Sequence, residues 1–255
     1  MKTFTKDKLT VKQFDTRQEM GECAAKEIAA CFAMLLEEKA EINVIFAGAP
    51  SQNEVLKALA DDRTIEWNRI NAYHMDEYIG LPSDAPQGFG NFLREHLFGL
   101  VQFKSVNYID CTADDPETEA ERYSRLLAEH PTDAVVLGIG ENGHVAFNDP
   151  PVADFHDPKI VKPVKLDEVC RQQQVNDGCF ARIEDVPTHA LTVTVPALVK
   201  APHLFCIVPA KTKAWAVHET LTGSIDEHCP ATVLRLQDHA TLYLDGDSAS
   251  LLEEE

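Results

Sequence analysis

Short apolar runs alternate along this chain with longer amphipathic segments, and this alternation restricts the fold more than any other feature of the sequence. Residues 18–38 carry apolar side chains at helical spacing, and residues 42–47 then form an apolar, strand-like run. The alternation continues, with strands predicted at 70–74, 106–109, 134–138, 189–195, 204–208 and 240–244 and helices at 51–60, 90–99, 116–129, 196–200 and 211–222. Strands that alternate with helices predict βαβ units. We therefore expect one α/β domain over residues 1–255, a Rossmann-like, doubly wound and mostly parallel sheet with helices on both faces.

One long polar stretch, residues 150–188, interrupts the alternation. It contains prolines at positions 150, 151, 158, 163 and 187, and a segment dense in hydrogen-bonding side chains at 170–178. A loop of this length inside a compact domain is usually functional or disordered. We predict an irregular lid over a ligand site; the alternative is a surface excursion with no role.

The charge balance excludes one large class of partners. The chain carries 42 acidic and 23 basic side chains, a net charge of −19, whereas nucleic-acid binding requires clustered lysine and arginine. A small anionic ligand is compatible with this charge, because a few local cations or one helix N-terminus can bind a single phosphate. No apolar run approaches the roughly 20 residues that span a bilayer, and the N-terminus does not resemble a signal peptide. We expect neither nucleic acid nor membrane as a partner.

The cysteines and histidines indicate a reducing compartment and no metal site. Seven cysteines are spread along the chain without a Cys-x-x-Cys pair, and the ten histidines lack the spacing of zinc motifs. Scattered thiols in odd number are typical of cytosolic proteins, in which thiols stay reduced. We expect a cytoplasmic protein without disulfides, without a bound metal and without a cofactor.

The most informative stretch is residues 138–149, Gly-Ile-Gly-Glu-Asn-Gly-His-Val-Ala-Phe-Asn-Asp, which follows the apolar run at 134–137. Its glycines permit unusual backbone dihedrals and the close approach of a ligand, so Gly143, next to His144, is a candidate for substrate binding. Open α/β sheets bind ligands at the carboxyl ends of their strands. A Gly-x-Gly pattern alone is a weak signal, because an ordinary strand-to-helix turn with a solvated histidine has the same appearance.

A second segment, residues 71–92, strengthens this interpretation. It contains Met-Asp-Glu-Tyr-Ile-Gly-Leu and places an acidic pair, Asp76 and Glu77, directly after a predicted strand. The two motifs together resemble the glucosamine-6-phosphate deaminase (isomerase) family, which belongs with 6-phosphogluconolactonases and ribose-5-phosphate isomerases. Supporting matches at 190–195 and 210–214 extend the resemblance over most of the chain.

The resemblance implies roles for four residues in an aldose–ketose rearrangement. Asp76 matches the carboxylate that moves a proton between adjacent sugar carbons, and His144 matches the histidine that opens the sugar ring. Asp149 matches a family glutamate that orients this histidine. The family commonly has an acid immediately before the Gly-His pair, where this chain has Asn142. An asparagine can orient His144 by hydrogen bonding but cannot accept a proton; the neighbouring Glu141 is the alternative source of an acid.

Four further residues are candidates for binding a phosphate group. Ser51 and Gln52 open a predicted helix after the strand at 42–47, where free N–H groups favour an anion. Ser51 matches a phosphate-binding threonine of the family, although its spacing to an acid three residues later suits a helix cap equally well. The resemblance also implies that Lys213 and an arginine of the lid, for which Arg171 is the candidate, bind the phosphate.

These residues predict an enzyme that converts glucosamine 6-phosphate to fructose 6-phosphate and ammonia in amino-sugar catabolism. The sequence leaves open galactosamine 6-phosphate as the substrate, the activity of 6-phosphogluconolactonases, and a non-catalytic sugar-phosphate sensor. A repressor is less well supported, because the ~40 residues before the first predicted strand are too few and too weakly basic for a DNA-binding module. The resemblance also implies a homo-oligomer.

Overall fold

The computed structural model describes residues 1–252, and residues 253–255 of the predicted domain lie outside it. Its strands are β1 Lys2–Lys6, β2 Leu9–Gln13, β3 Ile42–Phe46, β4 Ile70–His74, β5 Asp76–Tyr78, β6 Ser105–Asn107, β7 Ala134–Leu137, β8 Val161–Lys165, β9 His189–Val193, β10 His203–Val208 and β11 Ala240–Leu244. Its helices are α1 Arg17–Glu38, α2 Asn53–Asp61, α3 Phe89–Leu93, α4 Pro116–Glu129, α5 Glu168–Asn176, α6 Val195–Val199 and α7 Ala214–Thr222. Short 3₁₀ turns, Pro50–Gln52 and Lys211–Lys213, lead into α2 and α7.

Eight strands form one sheet in the order β1-β2-β11-β10-β7-β3-β4-β6. Neighbouring strands are parallel except in the β1–β2 hairpin, which confirms the predicted, mostly parallel sheet. The chain runs outward from β3 through β4 to β6, and then continues on the other side of β3 with β7, β10 and β11. Open α/β sheets bind ligands at such a reversal of strand order, outside the carboxyl ends of the flanking strands. Here the flanking strands are β3 and β7.

Helices cover both faces of this sheet, as the alternating side chains of β3 show. Val44 and Phe46 belong to a core that is packed by α1. Ile45, between them, belongs to a second core on the opposite face, together with Tyr123 of α4 and Val217 of α7. Full burial of a large aliphatic side chain contributes about 1.5–3 kcal/mol. The two cores therefore hold the strand ends, and the loops that follow them, in fixed positions.

A second, smaller sheet corrects the prediction for residues 150–188. This segment is not irregular, because it contains β8 and α5, and β8 pairs antiparallel with β9, which pairs in turn with β5. The sequence signal for β8 is weak because it contains Pro163, which a sheet tolerates only at an edge, the position that β8 occupies. Strand β9, predicted as part of the main sheet, belongs to the small sheet instead.

The sequence pattern also fails to predict the N-terminal hairpin, β1 and β2. Only Leu9 and Val11 alternate there as buried apolar residues, within an otherwise polar segment. Strand β2 pairs parallel to β11 and extends the large sheet beyond its central strands. Among residues 1–252, no helix has both the length and the apolar character that a membrane span requires.

Candidate active site

The segments that follow four neighbouring strands meet at the carboxyl edge of the large sheet and border one cavity. They contribute Ser51 after β3, Asp76 after β4, His144 after β7 and Lys213 after β10. The cavity is partly open to solvent. The other lining residues are Ala47, Gly48, Ala49, Met75, Phe89, Gly138, Ile139, Gly140, Ala146, Phe147, Gln173 and Gln174. One cavity thus brings together the predicted proton-transfer residues and the predicted phosphate-binding cation.

Glycines shape the loop after β7 and seat the imidazole of His144. The ring lies against Gly140, where an added Cβ atom would be 2.1 Å from it. Gly143 has a φ of +82°, a conformation that other residues rarely adopt, and its N–H donates to the carbonyl of Gly140. Gly143 does not line the cavity, so its predicted contact with substrate is corrected to a role in folding the loop.

Three side chains of this loop form a hydrogen-bonded cluster that fixes the imidazole. Nδ1 of His144 lies 2.7 Å from Oδ1 of Asn142 and 2.9 Å from Oδ1 of Asp149. Both oxygens are acceptors, so we assign the ring proton to Nδ1, which leaves Nε2 as the basic nitrogen. Asn142 in turn donates from Nδ2 to Asp149 over 3.1 Å. Burial favours a higher pKa for Asp149, but the hydrogen bonds from His144 and its neighbours outweigh it and hold this pKa below its usual value.

The structure distinguishes Asn142 from Glu141 as a partner of His144. Asn142 contacts the imidazole, whereas the carboxylate of Glu141 faces α5, where Nδ2 of Asn176 donates to it over 3.3 Å. Within residues 1–252, Asp149 is the only carboxylate in ion-pair distance of the ring. The loop therefore keeps an orienting contact at position 142 without a second negative charge beside the imidazole.

Two adjacent carboxyl groups, Asp76 and Glu77, are both buried but have different surroundings. Asp76 borders the cavity, and its carboxylate accepts no hydrogen bond from residues 1–252. Burial, and then the charge of Glu77, raise the pKa of Asp76 well above its usual value. Glu77 instead accepts from the backbone N–H groups of Tyr78, Phe89 and Gly90. Burial raises the pKa of Glu77 to about 7 in spite of these bonds, which act in the opposite direction. Asp76 is thus the carboxyl group that a ligand can reach.

A buried histidine that the sequence pattern does not single out, His74, holds the backbone at Asp76. Its Nδ1 lies 3.0 Å from the carbonyl oxygen of Asp76, and its Nε2 accepts from the N–H of Ile109 over 2.9 Å. Burial lowers the pKa of His74 to about 4, so the ring is neutral at physiological pH and donates from Nδ1. These two bonds fix the backbone that carries the carboxyl group into the cavity.

A buried cation and a hydroxyl group form another part of the cavity wall. Lys213 is 4 % exposed, and no acceptor among residues 1–252 pairs with its Nζ. Burial lowers the pKa of Lys213, and the charges of Asp177 and Glu141 oppose this shift. Ser51 lies in the 3₁₀ turn Pro50–Gln52 and does not cap α2, so its hydroxyl proton is available to a ligand. A buried charge without a partner is unfavourable, and an anion in the cavity would relieve this cost.

Two predicted phosphate ligands lie outside the cavity lining, which corrects their assignment. Gln52 is fully buried, and its Nε2 donates to the carbonyl of Ile207 over 3.2 Å. The guanidinium group of Arg171 donates from Nη2 to the carbonyls of Ile183 and Val186, at 2.7 and 3.0 Å. Both side chains therefore satisfy backbone carbonyls of the protein's own fold.

In place of Arg171, helix α5 presents Gln173 and Gln174 to the cavity. The polar density of residues 170–178 is the sequence signal for this wall. That signal does not show which of the four consecutive polar residues 171–174 face the cavity. The orientation of the short helix decides it. The side chains missed by sequence reasoning are therefore neutral amides rather than a cation.

One group of potential metal ligands occurs among residues 1–252. The ligand atoms of His144, Asp149 and Cys170 lie within 4.8 Å of one another. Burial, and then the charge of Asp149, raise the pKa of the Cys170 thiol well above its usual value, so the thiol is protonated. Nδ1 of His144 already contacts two acceptors. Hydrogen bonding accounts for this cluster.

Known proteins match both the sequence and the architecture. Residues 15–243 match the family described as glucosamine-6-phosphate isomerases/6-phosphogluconolactonase. The chain belongs to this family. A glucosamine-6-phosphate deaminase of Listeria monocytogenes serotype 4a (strain HCC23) is 34 % identical over 212 residues, which cover 83 % of this chain and 88 % of that protein. One of Bacillus cereus (strain B4264) is 37 % identical over 190 residues, which cover 74 % of this chain and 71 % of that protein.

Solved structures share the fold of this family member. A protein described as a monomeric glucosamine-6-phosphate deaminase has a TM-score of 0.85 at 29 % identity, covering 94 % of this chain and 99 % of its own. A 6-phosphogluconolactonase from Trypanosoma brucei has a TM-score of 0.80 at 18 % identity, covering 99 % and 100 %. The second comparison shows the fold alone. The family inferred from the two motifs is thereby confirmed.

Proposed function

We propose that this chain is a glucosamine-6-phosphate deaminase, which isomerises glucosamine 6-phosphate and releases ammonia to give fructose 6-phosphate. One observation carries the proposal: a histidine with a basic nitrogen, an unpaired carboxyl group and a buried, unpaired ammonium line the same cavity, as His144, Asp76 and Lys213. Relatives with this name at 34 % and 37 % identity support it.

In this proposal Lys213 and Ser51 bind the phosphate of the substrate. The ammonium of Lys213 supplies a positive charge in a molecule whose net charge is −19. A hydrogen bond to a charged group contributes about 1.5–3 kcal/mol. Because Lys213 is buried, solvent screens this attraction less than it would at the surface.

His144 then opens the sugar ring. Its Nε2 takes the proton of the C1 hydroxyl group and gives it to the ring oxygen, while the bond between C1 and the ring oxygen breaks and C1 becomes an aldehyde carbon. Between the two transfers the imidazole is positively charged, and the Asp149 carboxylate, 2.9 Å from Nδ1, stabilises that charge. Asn142 holds the orientation of the ring without adding charge.

Asp76 moves a proton from C2 to C1. Its carboxylate removes the C2 proton, the substrate's own C2 ammonium group gives a proton to the aldehyde oxygen, and the electrons left at C2 form a double bond between C1 and C2. Return of the first proton from Asp76 to C1 then forms a protonated imine at C2. Water adds to the imine and ammonia leaves, so that C2 becomes the ketone of fructose 6-phosphate. The raised pKa of Asp76 makes its carboxylate a stronger proton acceptor than an ordinary aspartate.

The proposal also includes a cytoplasmic location and a homo-oligomeric state. All seven cysteines are free thiols in the structure, which supports the reducing cytoplasm as the compartment. The homo-oligomer implied by the family resemblance stays a prediction. Light scattering on the purified chain tests it directly, since one structural relative is described as monomeric.

Release of ammonia from glucosamine 6-phosphate tests the proposed reaction. Galactosamine 6-phosphate and 6-phosphogluconolactone are assayed in parallel with the same enzyme preparation. We expect ammonia and fructose 6-phosphate in equal amounts from glucosamine 6-phosphate, with slower turnover of the other two. Fast hydrolysis of the lactone without ammonia would assign the other activity of the family, and binding without turnover would indicate a sensor.

The role of Lys213 is tested by a pair of lysine variants in the same turn. Lys213→Met removes the buried cation, and we expect KM for glucosamine 6-phosphate to rise at least about tenfold. Lys211→Met is the matched control, because Lys211 is exposed and does not line the cavity. Equal KM values for the two variants would return Lys213 to a structural role.

A further inference from the structure

Helix α5 presents two adjacent glutamines to the cavity, and their hydrogen bonding differs. Each is only 6 % exposed. Gln173 is fully engaged, since its Oε1 accepts from the N–H of Glu141 over 2.8 Å and its Nε2 donates to Asp177 over 3.2 Å. The side-chain amide of Gln174 has no hydrogen-bond partner among residues 1–252, although its backbone carbonyl accepts from Cys179 and Phe180.

The amide nitrogen and oxygen of Gln174 are not among the fully buried side-chain atoms that lack a partner, so they are accessible from the cavity. Gln174 lines the cavity that also contains Asp76, His144 and Lys213, so a bound molecule can reach its amide. An amide that has no partner within the described protein and faces the cavity is available to a ligand.

The donor and acceptor of the amide indicate which group of the ligand it binds. A primary amide has an N–H donor and a carbonyl acceptor, and both need partners when they are buried. A phosphate dianion offers acceptors only and would leave Oε1 of Gln174 unpaired. A hydroxyl group donates and accepts, so it satisfies both ends. The positive charge for the phosphate is already present on Lys213.

We infer that Gln174 determines substrate specificity by hydrogen bonding to a hydroxyl group of the sugar portion. This inference rests on the proposed function, because it takes an amino-sugar phosphate as the ligand. It assigns to α5 the recognition of the uncharged part of the substrate. The ammonium of Lys213 and the amide of Gln174 then recognise different ends of one molecule.

Methionine variants test the inference, because methionine matches glutamine in length and lacks its hydrogen-bonding atoms. Gln174→Met is compared with Gln172→Met, whose side chain is exposed and pairs only with Asn176. We expect Gln174→Met to raise KM for glucosamine 6-phosphate about tenfold, with kcat changed much less. The inhibition constant of inorganic phosphate should stay within about twofold of wild type, because Lys213 is intact. Gln172→Met should leave both constants unchanged, and thermal unfolding confirms that both variants fold.

The possible outcomes separate this inference from the proposed function. If wild type releases ammonia but Gln174→Met keeps the wild-type KM, Gln174 recognises nothing and the inference fails. If the affinities for substrate and inorganic phosphate fall equally, Gln174 binds the phosphate and the hydroxyl assignment fails. If wild type releases no ammonia, the proposed function fails, and calorimetric binding of fructose 6-phosphate and inorganic phosphate to both variants still measures the role of Gln174.

Discussion

At neutral pH the raised pKa of Asp76 favours proton transfer but lowers the stability of the folded protein. Its carboxyl group is buried, and burial followed by the charge of Glu77 raises its pKa. An unfolded aspartate ionises near pH 4, whereas the folded one stays protonated to a higher pH. Above about pH 4, ionisation therefore lowers the free energy of the unfolded chain more than that of the folded chain. The stability associated with the protonated group is therefore complete at low pH and is lost as the pH rises through the folded-state pKa.

Asp76→Asn should separate these two effects. We expect kcat to fall by about 10²–10⁴-fold, as for loss of a general base. We also expect the melting temperature to rise at about pH 8, by about 2–4 °C for each kcal/mol of stability gained, and to change much less at about pH 4. Ammonia assays and calorimetry at the two pH values measure both. Near-normal turnover would remove Asp76 from the mechanism, and an equal thermal shift at both pH values would contradict the charge argument.

Asn142 is the residue at which this chain departs from the family pattern beside His144. Asn142→Asp would place a second negative charge next to Nδ1, which favours the protonated imidazole. Because the proposed ring opening needs a basic Nε2, we expect the acidic limb of the kcat/KM profile to move to higher pH. Gln172→Glu adds the same charge at an exposed site of α5 and serves as the control. An acidic limb that moves equally in both variants would show that position 142 is not coupled to His144.

For single residues, the sequence predicts position along the chain better than side-chain direction. Asp76, His144 and Lys213 follow parallel strands, and the carboxyl ends of such strands meet at one edge. Gln52 also follows such a strand, and the family resemblance implied Arg171, yet both side chains turn to backbone carbonyls. Rotamer and turn geometry decide this direction, and no spacing rule contains them.

For whole elements, the predictions succeed where periodicity is strong and fail where pairing is non-local. Helices α1 and α4 and the buried strands of the large sheet carry clear patterns and were predictable within a few residues. Strand β5 has three residues, and its first pair joins Asp76 to the distant Thr192. Such pairing leaves no local signal in either segment, so the small sheet emerges only from the tertiary structure.

A strained residue directs the turn that carries Lys213. Ala210 has φ +81° and ψ 147°, a region that is almost exclusive to glycine. Its N–H donates to the carboxylate of Asp245 over 3.0 Å, and its carbonyl accepts from the N–H of Lys213. These bonds hold the turn Lys211–Lys213 against the end of β11, in a backbone conformation that costs about 1–3 kcal/mol.

Ala210→Gly should therefore stabilise the protein. Glycine removes the strain but adds about 0.5–1 kcal/mol of unfolded-chain entropy, so we expect a net gain of about 1 kcal/mol, or about 2–4 °C in melting temperature. Ala128→Gly is the matched control, because this exposed alanine lies in α4, where glycine costs about 1 kcal/mol. Calorimetry should give shifts of opposite sign. A loss of stability in both variants would show that position 210 is unstrained.

At the scale of the whole molecule, the cavity lies between the edge of the large sheet and helix α5, and fewer bonds connect this helix to its surroundings. Strand β8 pairs along its length with β9. Helix α5 is held to the loop after β7 by individual hydrogen bonds, including Gln173 to the N–H of Glu141 and the N–H of Asp167 to Asp149. We therefore propose that the lid is α5 rather than all of residues 150–188. Elements with few supporting bonds open locally at low free energy.

Hydrogen exchange with and without fructose 6-phosphate tests this assignment of the lid. A ligand that binds only the closed form slows local opening by the factor 1 + [L]/Kd, which is about tenfold at ten times Kd. We expect this slowing in the amides of α5, and exchange in β8 within about twofold of the free protein, because its pairing with β9 does not depend on ligand. Lys213→Met at the same ligand concentration is the control, since weaker binding should remove the effect from α5. Equal slowing in β8 and α5 would mean that residues 150–188 close as one body, and no slowing in α5 would mean that this helix is not a lid.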